Sequence, residues 1–352
     1  MQLIHLDSKT AVPVTRPGCT GMRMIAMAQG ATYDATALYF DAHASSDDHA
    51  APFDEWFVVT EGQGRVSIGE ETSAVREGDM VSVPRNVFHR YWTEDEAMGA
   101  LALTFAAVPG PGLVRVPDLA TLSRNAAERF VLLARQAIAA RGRFSIALSG
   151  GATPRPLYTL LASPGFAPRV DWTRVYVFWG DERAVPPDDP ASNFRMANET
   201  LLSQVPIPVQ NIHRISAEKG APEAAQEYEQ TLRDWFQPAV DAFPQFDLVL
   251  LGLGENGHTA SLFPHTAVLH QVERWVAGYH VAEINMDRIT LTVPVINAAL
   301  NILFLVAGPD KAPTVRAVLR GEYRPDDLPA QLIQPAAGHV VWLLDKSAAQ
   351  DL

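Results

Sequence analysis

A single cysteine, Cys19, serves all 352 residues, so no disulfide closes within the chain and no multi-cysteine metal site can be built in one copy. No apolar run approaches the ~20 residues that a membrane span requires. The opening MQLIHLDSKTAV has no basic stretch leading into an apolar core, and so reads as lacking a secretory signal. Positive charge is scarce too. There are 28 Lys and Arg against 40 Asp and Glu, a net charge of 28 − 40 = −12, which argues against nucleic acid or an anionic membrane as partner. A small anion remains open as a ligand wherever a few cations converge. The expected location is the reducing cytoplasm.

What is present changes texture along the chain. The length exceeds one ordinary core, so two domains are expected. Over residues 1–108, short alternating runs such as TALYFDAH, EWFVVTEGQGRVSIG and GDMVSVPRNVFHRYW are broken by Gly62, Gly64, Gly69 and Gly78, an all-β pattern. Residues 109–117, inside VPGPGLVRVPD, read as a linker because Pro and Gly cluster there. From 118 to 352 the pattern is different. A helical stripe runs through Leu119, Leu122, Ala126, Phe130, Ala134, Ala137 and Ile138. Apolar strands FSIALSG, RVYVFWG, FDLVLLGLG, RITLTVPV, NILFLVAG and HVVWLLD follow, most of them separated by helices. Near-continuous apolar strands alternating with helices predict an α/β, Rossmann-like, doubly wound and mostly parallel sheet.

Ligands bind such sheets at the carboxyl ends of the strands, and four loops there carry chemistry. Ser149-Gly150-Gly151-Ala152-Thr153 leads into Pro154; its amides could hold a phosphate at a helix start, or form only a tight turn. Asp181, Glu182 and Arg183 crowd behind a strand, either as a solvated cluster or as groups that meet a ligand. Asn193 either fixes that loop or touches substrate. Gly252-Leu253-Gly254-Glu255-Asn256-Gly257 fits G-x-G-x-x-G, but a dinucleotide cradle needs a long helix after it and opens the first βα unit. Here Pro264 comes seven residues after Gly257 and two strands have already passed. The cradle is rejected, and the turn instead presents His258, whose ordinary pKa of ~6.5 suits a general base. Arg288 and Lys311 could add positive charge over the sheet edge.

Together the segments ALSGGATPRPLY, WGDERAVPPDDPASNFRM, LGLGENGHTASLFP, RITLTVPVINAA and GPDKAPTV resemble the 6-phosphogluconolactonase family, relatives of glucosamine-6-phosphate deaminase. The resemblance covers residues ~115 to 352. It implies metal-free hydrolysis of 6-phospho-D-glucono-1,5-lactone to 6-phosphogluconate, a step of the oxidative pentose phosphate pathway. It assigns His258 to water activation, and Arg183 to the substrate or the developing oxyanion, with Asp181 orienting groups nearby. Ser149, Gly150, Gly151, Thr153, Arg288 and Lys311 would hold the phosphate, with Asn193 beside them. One position departs: the family usually has Asp-Gly-His, and here Asn256 precedes Gly257 and His258, which removes a negative charge beside the histidine.

In the first hundred residues, His49, Glu55 and Gly62, then Gly78, Pro84 and His89, resemble the two motifs of the cupin family. The implied fold is a double-stranded β-helix barrel. Its implied metal ligands are His49, Glu55 and His89, with Ala51 in place of a fourth and Asn86 in place of a glycine. The cofactor expectation is therefore none for the second domain and a divalent transition metal for the first, against a barrel that has lost its metal. The expected partners are a small sugar-phosphate lactone and a second copy of the chain, held through the cupin half. An amino-sugar-phosphate deaminase or isomerase using Asp181 as base, and a non-catalytic sugar-phosphate sensor, stay open as alternatives.

Overall fold

The computed structural model describes all residues except 1–11, 14–19, 30–32, 49, 51–53, 70, 84–86, 106–111, 239–241 and 336–337. The chain divides into two compact units, Met1–Gly112 and Leu113–Leu352. Among the described residues, no helix is long and apolar enough to cross a membrane.

The first unit is all β. Its strands are β1 (Val12–Pro13), β2 (Thr20–Gln29), β3 (Tyr33–Ser45), β4 (Asp54–Ile68), β5 (Glu71–Arg76), β6 (Met80–Val83), β7 (His89–Trp92) and β8 (Met98–Phe105). β3 pairs with β7 and β8, and β4 pairs with the same two strands, all antiparallel, so the ladder closes into a ring. That ring is the barrel expected from the alternating pattern. In β7, His89 and Tyr91 are buried while Arg90 is exposed, as a strand with one wet face requires. The core centres on Phe57 and Tyr91, whose rings stack at 3.9 Å, with Phe40 edge-on to Phe57 at 6.4 Å. Burying each such ring contributes about 1.5–3 kcal/mol.

The second unit contains β9 (Gly112–Val116), α1 (Leu119–Arg141), β10 (Phe144–Leu148), α2 (Pro154–Leu161), β11 (Val175–Trp179), β12 (Asp181–Arg183), α3 (Asn193–Ala197) and α4 (Ala221–Phe236). It continues with β13 (Leu248–Leu251), β14 (Val276–Val281), β15 (Met286–Leu291), α5 (Val293–Asn297), β16 (Asn301–Val306), α6 (Ala312–Arg320) and β17 (His339–Asp345). The main sheet runs β11-β10-β13-β16-β17-β9. Its pairs from β11 to β17 are all parallel. β10 and β13 are buried at every position, which accounts for their unbroken apolar sequence. α1 starts where the Asp118 carboxylate accepts the Thr121 N–H and stops at Gly142, whose φ is 74°.

Two expectations are corrected. RITLT is not a strand of the parallel sheet: β15 lies between β12 and β14 in a separate antiparallel sheet. A parallel neighbour needs a crossover of about a dozen residues, and only Ala282 to Asn285 separate β14 from β15. The segment 109–117 is likewise not all linker, because β9 within it is a strand of the main sheet with alternating burial.

The chain order turns around between β10 and β13. From β10 it steps outward to β11, then returns to β13 and proceeds the other way. That reversal opens a crevice above the sheet, the place where ligands bind in this architecture.

Candidate active site

A cavity of about 450 Å³ occupies that crevice. It is lined by the loops after β10, β13 and β16 and by side chains of β12 and β15. The ten residues of the second unit expected to act on or hold the substrate all line it: Ser149, Gly150, Gly151, Thr153, Asp181, Arg183, Asn193, His258, Arg288 and Lys311.

His258 is held on four sides. The Gly254 N–H donates to the His258 carbonyl at 2.8 Å and the Gly257 N–H to the Gly254 carbonyl at 3.0 Å, closing the turn. Gly257 has a φ of 80°, which favours glycine. Gly254 is needed for space: a Cβ there would lie 2.0 Å from His258 Nδ1. The ring stacks on Phe263 at 4.2 Å and 16°. Nδ1 lies 2.6 Å from Asn256 Oδ1, and Asn256 Nδ2 donates to both oxygens of Glu283, at 3.0 and 3.1 Å. A carboxylate only accepts, so the amide must turn its oxygen towards the imidazole, and Nδ1 must carry the hydrogen. Nε2 keeps its lone pair. Burial pushes the His258 pKa down to about 4, with Asp181 and Glu283 opposing and Arg288 and Lys311 reinforcing the shift. The imidazole is a neutral base throughout the physiological range.

The Asp181-Glu182-Arg183 cluster divides its work. Asp181 Oδ2 accepts the Ser261 hydroxyl at 2.6 Å, and Oδ1 faces the Asn193 amide at 3.3 Å. Arg288 Nη1 is 4.0 Å from Asp181. Glu182 turns away from the cavity to accept the backbone N–H groups of Asn193 and Phe194, at 2.7 and 2.8 Å, and the Ser192 hydroxyl. It caps the start of α3 and so holds Asn193 against the loop after β10. A Cβ on Gly150 would fall 1.7 Å from Asn193 Oδ1, so only glycine lets the two segments meet. Burial raises the Glu182 carboxyl, and these N–H bonds oppose the shift.

Several polar atoms are left over. Among the described residues, Ser149 Oγ, Asn193 Oδ1, Arg183 Nε and Arg288 Nε are buried without a hydrogen-bond partner, and all four belong to residues that line the cavity. Buried polar groups normally have partners, so four of them around one crevice mark the footprint of a polar ligand. The loop itself is rigid, with Tyr158 Oη accepting the Ser149 N–H and donating to the Ser149 carbonyl. Thr153 makes no side-chain cap on α2, and because Pro154 and Pro156 carry no N–H, Arg155 alone among its first three residues has an amide to offer an anion. Lys311 stands across the cavity, 3.3 Å from Asp310 and 3.5 Å from Glu255.

Sequence reasoning missed Ser261, Phe263, Glu283 and the anchoring role of Glu182. Of these only Glu283 lay outside every segment already under scrutiny.

In the first unit, Glu55 and His89 face each other inside the barrel, with His89 Nε2 3.7 Å from Glu55 Oε1. Tyr91 Oη donates to the same Glu55 oxygen at 2.7 Å, and burial beside that carboxylate raises the Tyr91 pKa. His89 Nδ1 meets the Val87 carbonyl at 3.0 Å, so it carries the hydrogen and Nε2 faces Glu55. The third expected ligand, His49, lies outside the described residues. Among those described, no group of three or more His, Cys, Asp or Glu is arranged to hold a metal.

Comparison with known proteins agrees with this division. Residues 38–104 match the cupin domain model. Residues 117–342 match the model for glucosamine-6-phosphate isomerases/6-phosphogluconolactonase. A 6-phosphogluconolactonase of Synechocystis sp. is 46% identical over 218 residues, 62% of this chain and 88% of its own. One of Nostoc sp. is 42% identical over 240 residues, 67% of this chain and 96% of its own. The solved 6-phosphogluconolactonase of Trypanosoma brucei is 28% identical with a TM-score of 0.63, covering 70% of this chain and all of that one. A monomeric glucosamine-6-phosphate deaminase is 21% identical with a TM-score of 0.59, covering 68% of this chain and 100% of that one, a likeness of fold alone. Through its second unit, the chain belongs to the glucosamine-6-phosphate isomerase/6-phosphogluconolactonase family.

Proposed function

We propose that the second unit hydrolyses 6-phospho-D-glucono-1,5-lactone to 6-phospho-D-gluconate. The observation that carries this reading is His258, neutral, fixed with Nδ1 protonated and Nε2 free in a crevice ringed by Arg183, Arg288 and Lys311. Nε2 takes a proton from water as the water oxygen bonds to the lactone carbonyl carbon. The carbonyl oxygen becomes an oxyanion, which Arg183 stabilises. On collapse the ring C–O bond breaks and the departing oxygen receives the proton from Nε2. The new carboxyl group then ionises to solvent. With a pKa near 4, the imidazolium gives up that proton readily. The open amides of the loop after β10, with Arg288 and Lys311, hold the phosphate, and Asp181 keeps Arg288 and Asn193 in place. A lactone is an activated ester, so a base and charge stabilisation meet its needs without a metal.

The deaminase reading needs Asp181 as a free base at C2. Both Asp181 oxygens are engaged, by Ser261 and by Asn193, which favours the lactonase. Incubating purified protein with freshly made lactone, and separately with glucosamine 6-phosphate, separates the readings. Lactone opening above the spontaneous rate, unaffected by EDTA and with no ammonia released from the amino sugar, is expected. Ammonia release, or loss of lactonase activity on chelation, overturns the proposal.

For the first unit we read Glu55 and His89, joined by His49, as ligands of a divalent transition ion. The two described donors, His89 Nε2 and Glu55 Oε1, stand 3.7 Å apart, and imidazole with carboxylate is a donor set that such an ion takes. Elemental analysis decides this: metal lost on His89→Ala supports it, and none bound after adding Fe, Mn, Ni or Zn refutes it. We also read the protein as a cytoplasmic homodimer joined through the barrel, which light scattering of the full chain tests.

A further inference from the structure

The structure assigns Asn256 and Glu283 to a two-step positioning relay for His258, in which a neutral amide touches the imidazole and the carboxylate acts one residue further out. This deepens the lactonase reading and rests on it for its catalytic consequence. The geometry stands independently. Asn256 Oδ1 is 2.6 Å from Nδ1 and 3.2 Å from the His258 backbone nitrogen, so one oxygen accepts from both the ring and the main chain. Two groups settle the amide's orientation together: the His258 backbone N–H, which only donates, at 3.2 Å from Oδ1, and Glu283, which only accepts from Nδ2. With both carboxylate oxygens accepting from Nδ2, a flipped Asn256 would set its oxygen against the Glu283 charge and its NH2 against the imidazole.

The family resemblance implies an aspartate at residue 256, where this chain has asparagine. An aspartate there would face Glu283 at hydrogen-bond distance, two like charges together. Asparagine removes that repulsion and turns Glu283 from an adversary into an anchor. The arrangement separates two tasks that an adjacent aspartate performs at once, fixing the tautomer and stabilising the imidazolium by direct contact. Here the tautomer is fixed in full, while the charge acts from one residue away.

The charged groups that face His258 are Asp181 from β12, Arg288 from β15, Glu283 from the turn before β15, and Lys311 from the turn before α6. Asp181 and Glu283 favour the imidazolium, and the two cations oppose it. Removing the Glu283 charge therefore moves the histidine's titration to lower pH. Returning a carboxylate to residue 256 moves it up.

The test uses the full-length protein and two readouts. Nitrogen-15 NMR of the His258 ring reports the tautomer without substrate, and kcat with its acidic limb reports catalysis. In wild type, Nδ1 should carry the proton. Glu283→Ala leaves the amide oriented by the 3.2 Å His258 N–H bond alone, and should give a mixture of tautomers with a reduced share of the Nδ1–H form. Glu283→Gln should lower kcat by about tenfold with KM little changed, and shift the acidic limb down. Asn256→Asp alone should also impair kcat. In the double variant Asn256→Asp/Glu283→Gln the amide and the carboxylate exchange places, so the introduced amide can donate to the introduced carboxylate. That variant should recover activity over either single one and shift the limb upward. A purely structural pair would not move the limb in opposite directions. Glu283 is exposed, so these changes spare the core. An unchanged tautomer in Glu283→Ala, together with unchanged kcat and limb in Glu283→Gln, overturns the relay. If the wild type fails to open the lactone but keeps the Nδ1–H form while Glu283→Ala loses part of it, the functional reading falls and the relay stands.

Discussion

Replacing Gly254 with alanine should disable the site without removing a single polar group. The new Cβ would lie 2.0 Å from His258 Nδ1, 2.1 Å from Cε1 and 2.8 Å from Cγ. Ordinary contact begins at 3.4 Å, so the ring must withdraw by 3.4 − 2.0 = 1.4 Å. It has no easy route, because Phe263 stacks on one face and Asn256 holds Nδ1. Displacement of about 1 Å can cost on the order of 10²-fold in rate, so kcat should fall by at least about 10²-fold, with a smaller change in KM. Gly165→Ala is the control, since it lies outside the cavity lining and its Cβ would meet only Ser163 Oγ, at 3.9 Å. Both variants are assayed for lactone opening after subtracting spontaneous hydrolysis, with thermal melts to show that each is folded. A folded Gly254→Ala enzyme within about threefold of wild type would refute the reasoning, since a displacement of this size costs far more.

Lys311→Ala and Arg288→Ala should raise KM more than they lower kcat, each losing about 1.5–3 kcal/mol of a charge-assisted hydrogen bond. Both should also discriminate less between phosphorylated and unphosphorylated gluconolactone; unchanged selectivity in both would misplace the phosphate. Burial lowers the His258 pKa to about 4, so the base form persists as pH falls from 7 and is lost only as pH drops through about 4. An NMR titration of the ring checks this, and a midpoint near the ordinary ~6.5 contradicts it. A chain of residues 113–352 should fold and open lactone by itself, because each unit has its own core; an insoluble fragment would contradict that independence.

The parts of the site that reside in local sequence were legible in it. Strands at β10 and β13 announced themselves as unbroken apolar runs because both faces are covered, and the glycine turn after β13 pointed to His258 because nothing else followed it. The resemblance supplied the cations from β15 and the turn before α6, which local pattern alone left as surface charges. What escaped were contacts between distant segments. Glu283 reaches Asn256 across 27 residues, and Ser261 reaches Asp181 across 80, with nothing in either neighbourhood to signal the meeting. Glu182 was visible as a charge in a crowded loop, but its direction away from the cavity depends on the N–H groups of α3. RITLT was misassigned because an antiparallel strand buried at one end resembles a parallel one in composition. The four-residue turn before it carried the correct information, since no crossover fits there.

In the proposed mechanism lactone opening depends, above all, on His258 as the group that activates water. The most direct test is the rate of opening of fresh 6-phospho-D-glucono-1,5-lactone at pH 7 by equal amounts of wild type and His258→Ala, each corrected for spontaneous hydrolysis. Loss of a general base predicts that the variant retains at most about one hundredth of the wild-type kcat, with its fold intact. A folded His258→Ala enzyme opening the lactone at near wild-type kcat would contradict that role.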